Sequence, residues 1–412
     1  MSCWKSSGLL VAFLAIAGVA SARAEEANAE SQPAQQGEPK PRMDIYGFIM
    51  LDTGYQSGAN DPDWFDVVRP VKLPSFENEF GAEGNWFAGV RQTRLGVKNF
   101  LPTDLGELRT TFEFELFGTG VDAGQTTFRL RHAYGELGKF GAGQYWSPFM
   151  DIDVFPNSIE YWGPNGMVFF RNVQVRYMPL QGATSVVIAL ERPGASADQG
   201  VYADRIELEG VDAHFPLPDF SAHVRRTGEW GHLQIAGIYR RIEWEDLNDD
   251  RFDLTGSANG WGINVSTNLK RKKDTVRASL VYGEGIQNYM NDAPVDVGIQ
   301  NNFSDPVTPI VGKALPLLGL VLFYDRTWND QWTSSFGYSL LDIDNTDGQA
   351  ANAFKAGHYA LGNLLYYPAP NFFVGGELQW GRRENFSDGW SYDDVRVQFS
   401  AKYNFSHRLG GQ

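Results

Sequence analysis

The sequence predicts an all-β chain, a 16-stranded antiparallel transmembrane β-barrel with short periplasmic turns and long extracellular loops. Three observations carry that expectation. Segments of about ten residues alternate apolar and polar side chains, the signature of strands with one greasy and one wet face. Their connections alternate between short and long. The composition is also one of sheets and turns, with 45 glycines and 14% aromatic residues beside 21% charged ones among 412 residues.

The chain opens on a leader. Lys5 gives a positive n-region, Leu9 to Ala20 an apolar h-region and Ala22-Arg23-Ala24 a cleavage site, so residues 1–24 read as a signal peptide. The h-region is too short for a membrane helix, and beyond it no run of 18 apolar residues occurs. The single cysteine, Cys3, precedes the h-region, which excludes both a disulfide framework and a lipoprotein anchor. The formal charge is −15, and loss of Lys5 and Arg23 takes the cations from 35 to 33 against 50 acids, or −17. A chain so acidic is not a nucleic-acid binder. Residues 25–42, with three prolines and no aromatic, read as a flexible periplasmic linker.

From Met43 the alternating segments begin, and residues 43–405 form the expected barrel. Leu108, Thr110, Phe112, Phe114 and Leu116 alternate with Arg109, Thr111, Glu113 and Glu115; Val395 to Phe405 does the same with Arg396, Gln398, Ser400 and Lys402 on its polar face. Sixteen strands start near residues 44, 87, 107, 127, 138, 169, 184, 219, 231, 259, 274, 317, 331, 354, 371 and 391. Short turns fall at Pro102–Gly106, Thr227–Gly231, Lys270–Asp274 and Trp328–Gln331; long loops at Ser57–Trp86, Pro193–Pro218, Asp246–Ala258 and Gly285–Pro316. A soluble sandwich would use shorter strands and turn its apolar face inward. Here the polar faces suit a wet lumen, and Trp328, Trp332, Tyr366, Trp380, Trp390 and Tyr403 sit where interfacial girdles form. At sixteen strands the interior keeps an aqueous channel.

The segments IYGFIMLDTGY (45–55), RQTRLGVKNF (91–100), RLRHAYGELGKFGAGQYWSPFMD (129–151), RNVQVRY (171–177) and FSAKYNF (399–405) resemble the DcaP-like outer-membrane porins. The resemblance implies a homotrimeric passive channel for small anionic organic acids, dicarboxylates among them, with outer-membrane lipids, lipopolysaccharide and the barrel-assembly machinery as partners. It also implies that Phe405 is the assembly signal, although this chain continues as a tail over 406–412. The linker shows no heptads, so the coiled coil of some family members is not expected.

Pairing arithmetic across strands two to four predicts a basic wall on the lumen. A loop centred near residue 122 sets Glu113 opposite Arg131 and Glu115 opposite Arg129; a turn near residue 103 sets Arg94 near Glu113 and Lys98 near Arg109. Five cations (Arg94, Lys98, Arg109, Arg129, Arg131) against two acids leave an anion-attracting excess. Between the fifth and sixth strands, residues 147–168 match the place where porins of this architecture fold a loop into the pore. Asp151, Asp153 and Glu160 on it are expected to face the arginines. His132, between Leu130 and Tyr134, falls on the apolar parity and is expected at a subunit contact. The run Lys270–Lys273 reads as a solvated charge cluster.

No motif of hydrolases, metalloproteases or nucleotide binders occurs, and neither catalytic residues, metal ligands nor a cofactor are expected. The reading is a porin. The alternatives are a lipase-like barrel enzyme, which needs no local motif, and a non-conducting adhesin or structural barrel.

Overall fold

The computed structural model describes residues 40–411 apart from Asp204, Ile206 and Glu207. The expected leader and all but the last residues of the expected linker lie outside the described residues.

Twenty strands follow one another: β1 (Arg42–Gln56), β2 (Asn85–Gly89), β3 (Arg94–Thr103), β4 (Gly106–Phe117), β5 (Thr126–Leu137), β6 (Phe140–Trp146), β7 (Arg171–Leu180), β8 (Thr184–Glu191), β9 (Val211–His214) and β10 (Asp219–Gly228). The second half runs β11 (Gly231–Asp246), β12 (Gly256–Arg271), β13 (Asp274–Glu284), β14 (Val297–Asn301), β15 (Ile310–Ala314), β16 (Pro316–Thr327), β17 (Trp332–Ile343), β18 (Phe354–Ala369), β19 (Phe372–Asn385) and β20 (Ser391–Gly410). Both β2 and β3 pair with β1, and both β9 and β10 pair with β11, so each couple is one interrupted barrel strand. The β14–β15 hairpin forms its own small sheet. Sixteen barrel strands remain, all antiparallel to their neighbours, and β20 closes on β1 from Arg42 opposite Gly410 to Gln56 opposite Arg396. Closure removes every sheet edge, the condition for strands to cross a bilayer. Among the described residues no helix is long and apolar enough to cross one.

Alternation makes two surfaces. Phe112, Phe128, Ile263, Leu322 and Val397 stand exposed on the outside, while Glu113, Gln174, Gln234, Ser266 and Gln398 are buried inside. The expected starts near 44, 107, 231, 274, 354 and 391 fall within two residues of the observed ones. Ser406 to Gly410, expected as a tail, continue β20 opposite Tyr46 to Arg42.

The strand β5 breaks its alternation beside the lumenal charges. Glu113 pairs with His132 but Phe114 pairs with Leu130, which leaves Arg131 as the surplus residue of a β-bulge. Leu130 faces out, whereas Arg131 and His132 are both buried inside, and Tyr134 follows them inward against Tyr145 and Arg176. The apolar parity assigned to His132 is therefore wrong. Its ring packs on Tyr145 and Trp146 in the lumen, and Ala133 and Gly135 take the outward positions opposite Phe112 and Thr110.

The core lies within the barrel. Phe149, Met150, Val154, Met167 and Val168 pack on inward Ile238 (β11), Val281 (β13), Val321 and Phe323 (β16), Leu341 (β17) and Leu361 (β18). The approach is so close that a Cβ on Gly319 would lie 2.4 Å from the Gly166 carbonyl oxygen. The first long loop folds in as well, burying Val67, Val68 and Leu73.

Candidate functional site

The described interior leaves a cavity of about 650 Å³ between two unlike surfaces. On one side stand cations from β3, β5, β7 and β20; on the other lie Ile152 to Trp162 of the inward loop and Gln287 to Ala293 of a later one.

The basic side is built on two buried carboxylates. Glu115, fully buried, accepts hydrogen bonds from Arg131 Nη1 at 2.6 Å and Arg94 Nη2 at 3.0 Å, and from the Tyr161 hydroxyl. Arg129 and Arg171 lie 3.7 and 3.8 Å from its other oxygen. Glu113 accepts from Arg131 Nε at 2.6 Å and from the Tyr46 hydroxyl at 2.8 Å. Four guanidinium groups thus share two carboxylates, and the surplus charge faces the cavity. Arg131 is spent mainly on the carboxylates, bridging both in the interior; Arg94 and Arg129 keep about a quarter of their side-chain surface accessible.

Lys98 and Arg109 do not join this wall. The β3–β4 turn closes with Thr103 opposite Gly106, two residues beyond the expected register, so Arg94 meets Glu115, and Lys98 meets Thr111. Arg109 sits near the turn, bonded to Glu107 at 2.7 Å and 3.6 Å from Glu136, and Lys98 lies over the Tyr46 ring. Neither lines the cavity. In their stead come Arg171, Lys402 and, from the first long loop, Arg69. Lys402 lies on the polar face of its strand in the sequence, but only barrel closure brings it beside this wall. Arg171, off the inward parity of Asn172, Gln174 and Arg176, gives no such signal.

The inward loop holds its acids differently from expectation. Asp151 accepts from His232 Nε2 at 2.6 Å if that nitrogen is protonated, from Ser266 Oγ at 2.7 Å and from Arg225 at 3.1 Å; Asp153 bonds the same Arg225. Both are fastened to the wall of β10–β12, by Arg225 rather than by the arginines of β3, β5 and β7. Asp151, Asp153 and His232 could together offer a metal three ligand atoms within 4.8 Å, but Arg225 and Ser266 already take up those carboxylates. Glu160 is buried and accepts from the backbone of Val68, Trp162 and Gly163 and from the Tyr359 hydroxyl. Burial pushes its carboxyl up to about 7, against the opposing pull of the Gly163 and Trp162 N–H groups. Glu377 ties down the backbone N–H groups of Ile159 and Glu160, and Gln92 and Gln398 bond the Ile159 carbonyl. The loop is bolted to the wall along its length.

The model of the DcaP outer membrane protein family matches residues 36–229. That stretch, a little under half of the chain, is similar to the DcaP family. The fold of the chain agrees over nearly the whole length: the outer membrane channel DcaP of Acinetobacter baumannii superposes with a TM-score of 0.73 at 23% identity, covering 88% of this chain and 97% of that one. An anion-selective porin from Comamonas acidovorans gives 0.56 at 11% identity, covering 89% and 100%. The trimer form of OmpT from Vibrio cholerae gives 0.52 at 12%, covering 89% and 99%. No curated protein matches the sequence. The chain is thus a barrel of the porin type, similar over residues 36–229 to an outer membrane protein family.

Proposed function

We propose that this porin is a passive diffusion channel that favours anions, small organic acids and dicarboxylates in particular, and has no catalytic role. The observation that carries the proposal is the charge around the cavity: Arg69, Arg94, Arg129, Arg131, Arg171 and Lys402 against Glu160 on the lining and Glu113, Glu115 and Asp292 bonded behind it, which leaves the cations in excess. Low-dielectric walls concentrate such a field, and a dianion gains twice from it. We take Glu113 and Glu115 as the frame that aims these cations, and the inward loop as a fixed constriction. Assembly as a trimer is supported by an outward area that departs from the apolar belt. Asn99 donates to Thr110 Oγ1 at 3.1 Å there, beside Ala133, Gly135 and Ala142. Small and hydrogen-bonded residues at that level suit a protein neighbour better than lipid chains. Export through cleavage near Glu25 and recognition of Phe405 by the assembly machinery complete the reading.

The test is the reversal potential across a salt gradient in a planar bilayer. Arg129→Gln with Arg171→Gln should shift it toward cations at low salt, and the shift should shrink at 1 M, where screening falls to about 3 Å. An unchanged potential at low salt would remove the basic wall from selectivity. A lipase-like barrel or an adhesin would give no ohmic steps at all.

A further inference from the structure

The periplasmic end of the barrel carries a second basic feature, unrelated to the pore. Lys270, Arg271, Lys272 and Lys273 form the β12–β13 turn, all four are exposed, and among the described residues none makes a salt bridge. The acid beside them, Asp274, is already bonded by Arg326 and Tyr324. Lys273 Nζ reaches only the carbonyl of Trp328, at 3.5 Å.

Two neighbouring turns are fastened to this one. Lys270 N donates to the carbonyl of Trp230, and Thr327 N to that of Lys273, each at 2.8 Å. The cations are thus flanked by Trp230 at 44% and Trp328 at 53% exposure. Leu269, just above, faces the hydrocarbon, and Arg271 shares its parity. Tryptophan marks the headgroup level of a membrane. Glu229 and Asp330 on the flanking turns leave the cations in excess.

The backbone adds an independent sign. Among the described residues three non-glycines have positive φ, and two of them are asparagines, Asn78 and Asn371, the residue type that tolerates it best. The third is Lys272, at φ 56°. A lysine in a left-handed turn position, where Gly or Asn is relaxed, carries a backbone cost that its side chain has to offset.

We infer that the β12–β13 turn binds the phosphate headgroup of an anionic phospholipid in the periplasmic leaflet, with Trp230 and Trp328 seated in the headgroup layer on either side. Each surface cation near anionic lipid strengthens attraction about fivefold, and the attraction falls with salt.

The full-length protein, purified in a non-ionic detergent, is titrated with phosphatidylglycerol or phosphatidylcholine and the bound lipid counted by native mass spectrometry. The parent should retain phosphatidylglycerol over phosphatidylcholine by about fivefold or more. The variant K270Q/R271Q/K272N/K273Q should lose that preference with its conductance unchanged. Asparagine at 272 keeps the turn relaxed; should this variant fail to fold, R271Q/K273Q carries the same comparison. Equal retention of the two lipids by the parent, or an unaltered preference in the folded variant, would overturn the inference. So would displacement of the lipid by inorganic phosphate at equal concentration, which would make this a site for free anions.

Discussion

The two halves of the inner wall use the same strand geometry for opposite ends. Around β3–β5 the inward side chains are charged, and the interior carboxylates Glu113 and Glu115 sit under more arginines than they can neutralise. Around β13–β18 the inward side chains include Val281, Val321, Phe323, Leu341 and Leu361, and these carry the apolar side of the inward loop. One wall creates a field and the other holds the object that confines it. The difference teaches that a barrel lumen need not be polar throughout: the apolar half packs the inward loop, and the charged half faces that loop across the cavity.

The comparison can be broken most forcefully at Glu115. Glu115→Gln would leave Arg94, Arg129, Arg131 and Arg171 with one carboxylate among them, and a buried charge deprived of its partner costs about 3–5 kcal/mol. A fall in the unfolding midpoint of the detergent-solubilised barrel is expected; an unchanged midpoint would mean that water, and not Glu115, balances these arginines. On the other wall, Gly319→Val would drive a side chain into the loop backbone at Gly166, an overpacking of about 1–3 kcal/mol. Single-channel conductance should change while the anion-to-cation ratio at low salt stays close to the parent's. If selectivity collapsed as well, the two walls would not be separable.

A finer test compares cations at different heights. Lys402→Gln should lower the anion-to-cation permeability ratio severalfold at low salt, since its charge borders the cavity. Arg109→Gln and Lys98→Gln should leave the ratio unaltered. The smallest effect concerns pH. With its carboxyl near 7, Glu160 gains charge between about pH 6 and 8, so anion preference should weaken slightly over that range, and Glu160→Gln should flatten the change. For stability the sign is the same. The folded chain holds this proton more tightly than the unfolded chain does, so Glu160 contributes most below its unfolded pKa of about 4.5, and the contribution is lost as pH rises toward 7. A melting midpoint that rose over that window in the parent but not in Glu160→Gln would contradict the assignment.

Much of the barrel was legible because period two survives nearly every strand and the connections alternate in length. Arg94, Arg129, Arg131, Glu113 and Glu115 could be grouped from parity on adjacent strands. The rest depended on information that sequence neighbours do not carry. A two-residue difference in the β3–β4 turn removed Lys98 and Arg109 from the wall. Lys402 needed barrel closure, since it lies 271 residues beyond Arg131 along the chain. The loop acids were misassigned because their partners Arg225 and Ser266 lie 74 and 115 residues from Asp151. The apolar wall did leave a trace: in β16 Leu317, Val321 and Phe323 are apolar on the inward face while Leu318, Leu320 and Leu322 are apolar on the other. A strand greasy on both faces is one packed on both sides.

Arg131, as the surplus residue of a bulge, is a charge added by lengthening the strand. Its flanks, Leu130 opposite Phe114 and His132 opposite Glu113, already stand opposite consecutive residues of β4. Removing its codon would join them into an unbroken ladder, with Leu130 still toward lipid and His132 still toward water. A barrel built this way can acquire or shed a lumenal charge by a single in-frame insertion or deletion, and its outer surface, where the membrane tolerates few errors, keeps every residue on the side it already occupies.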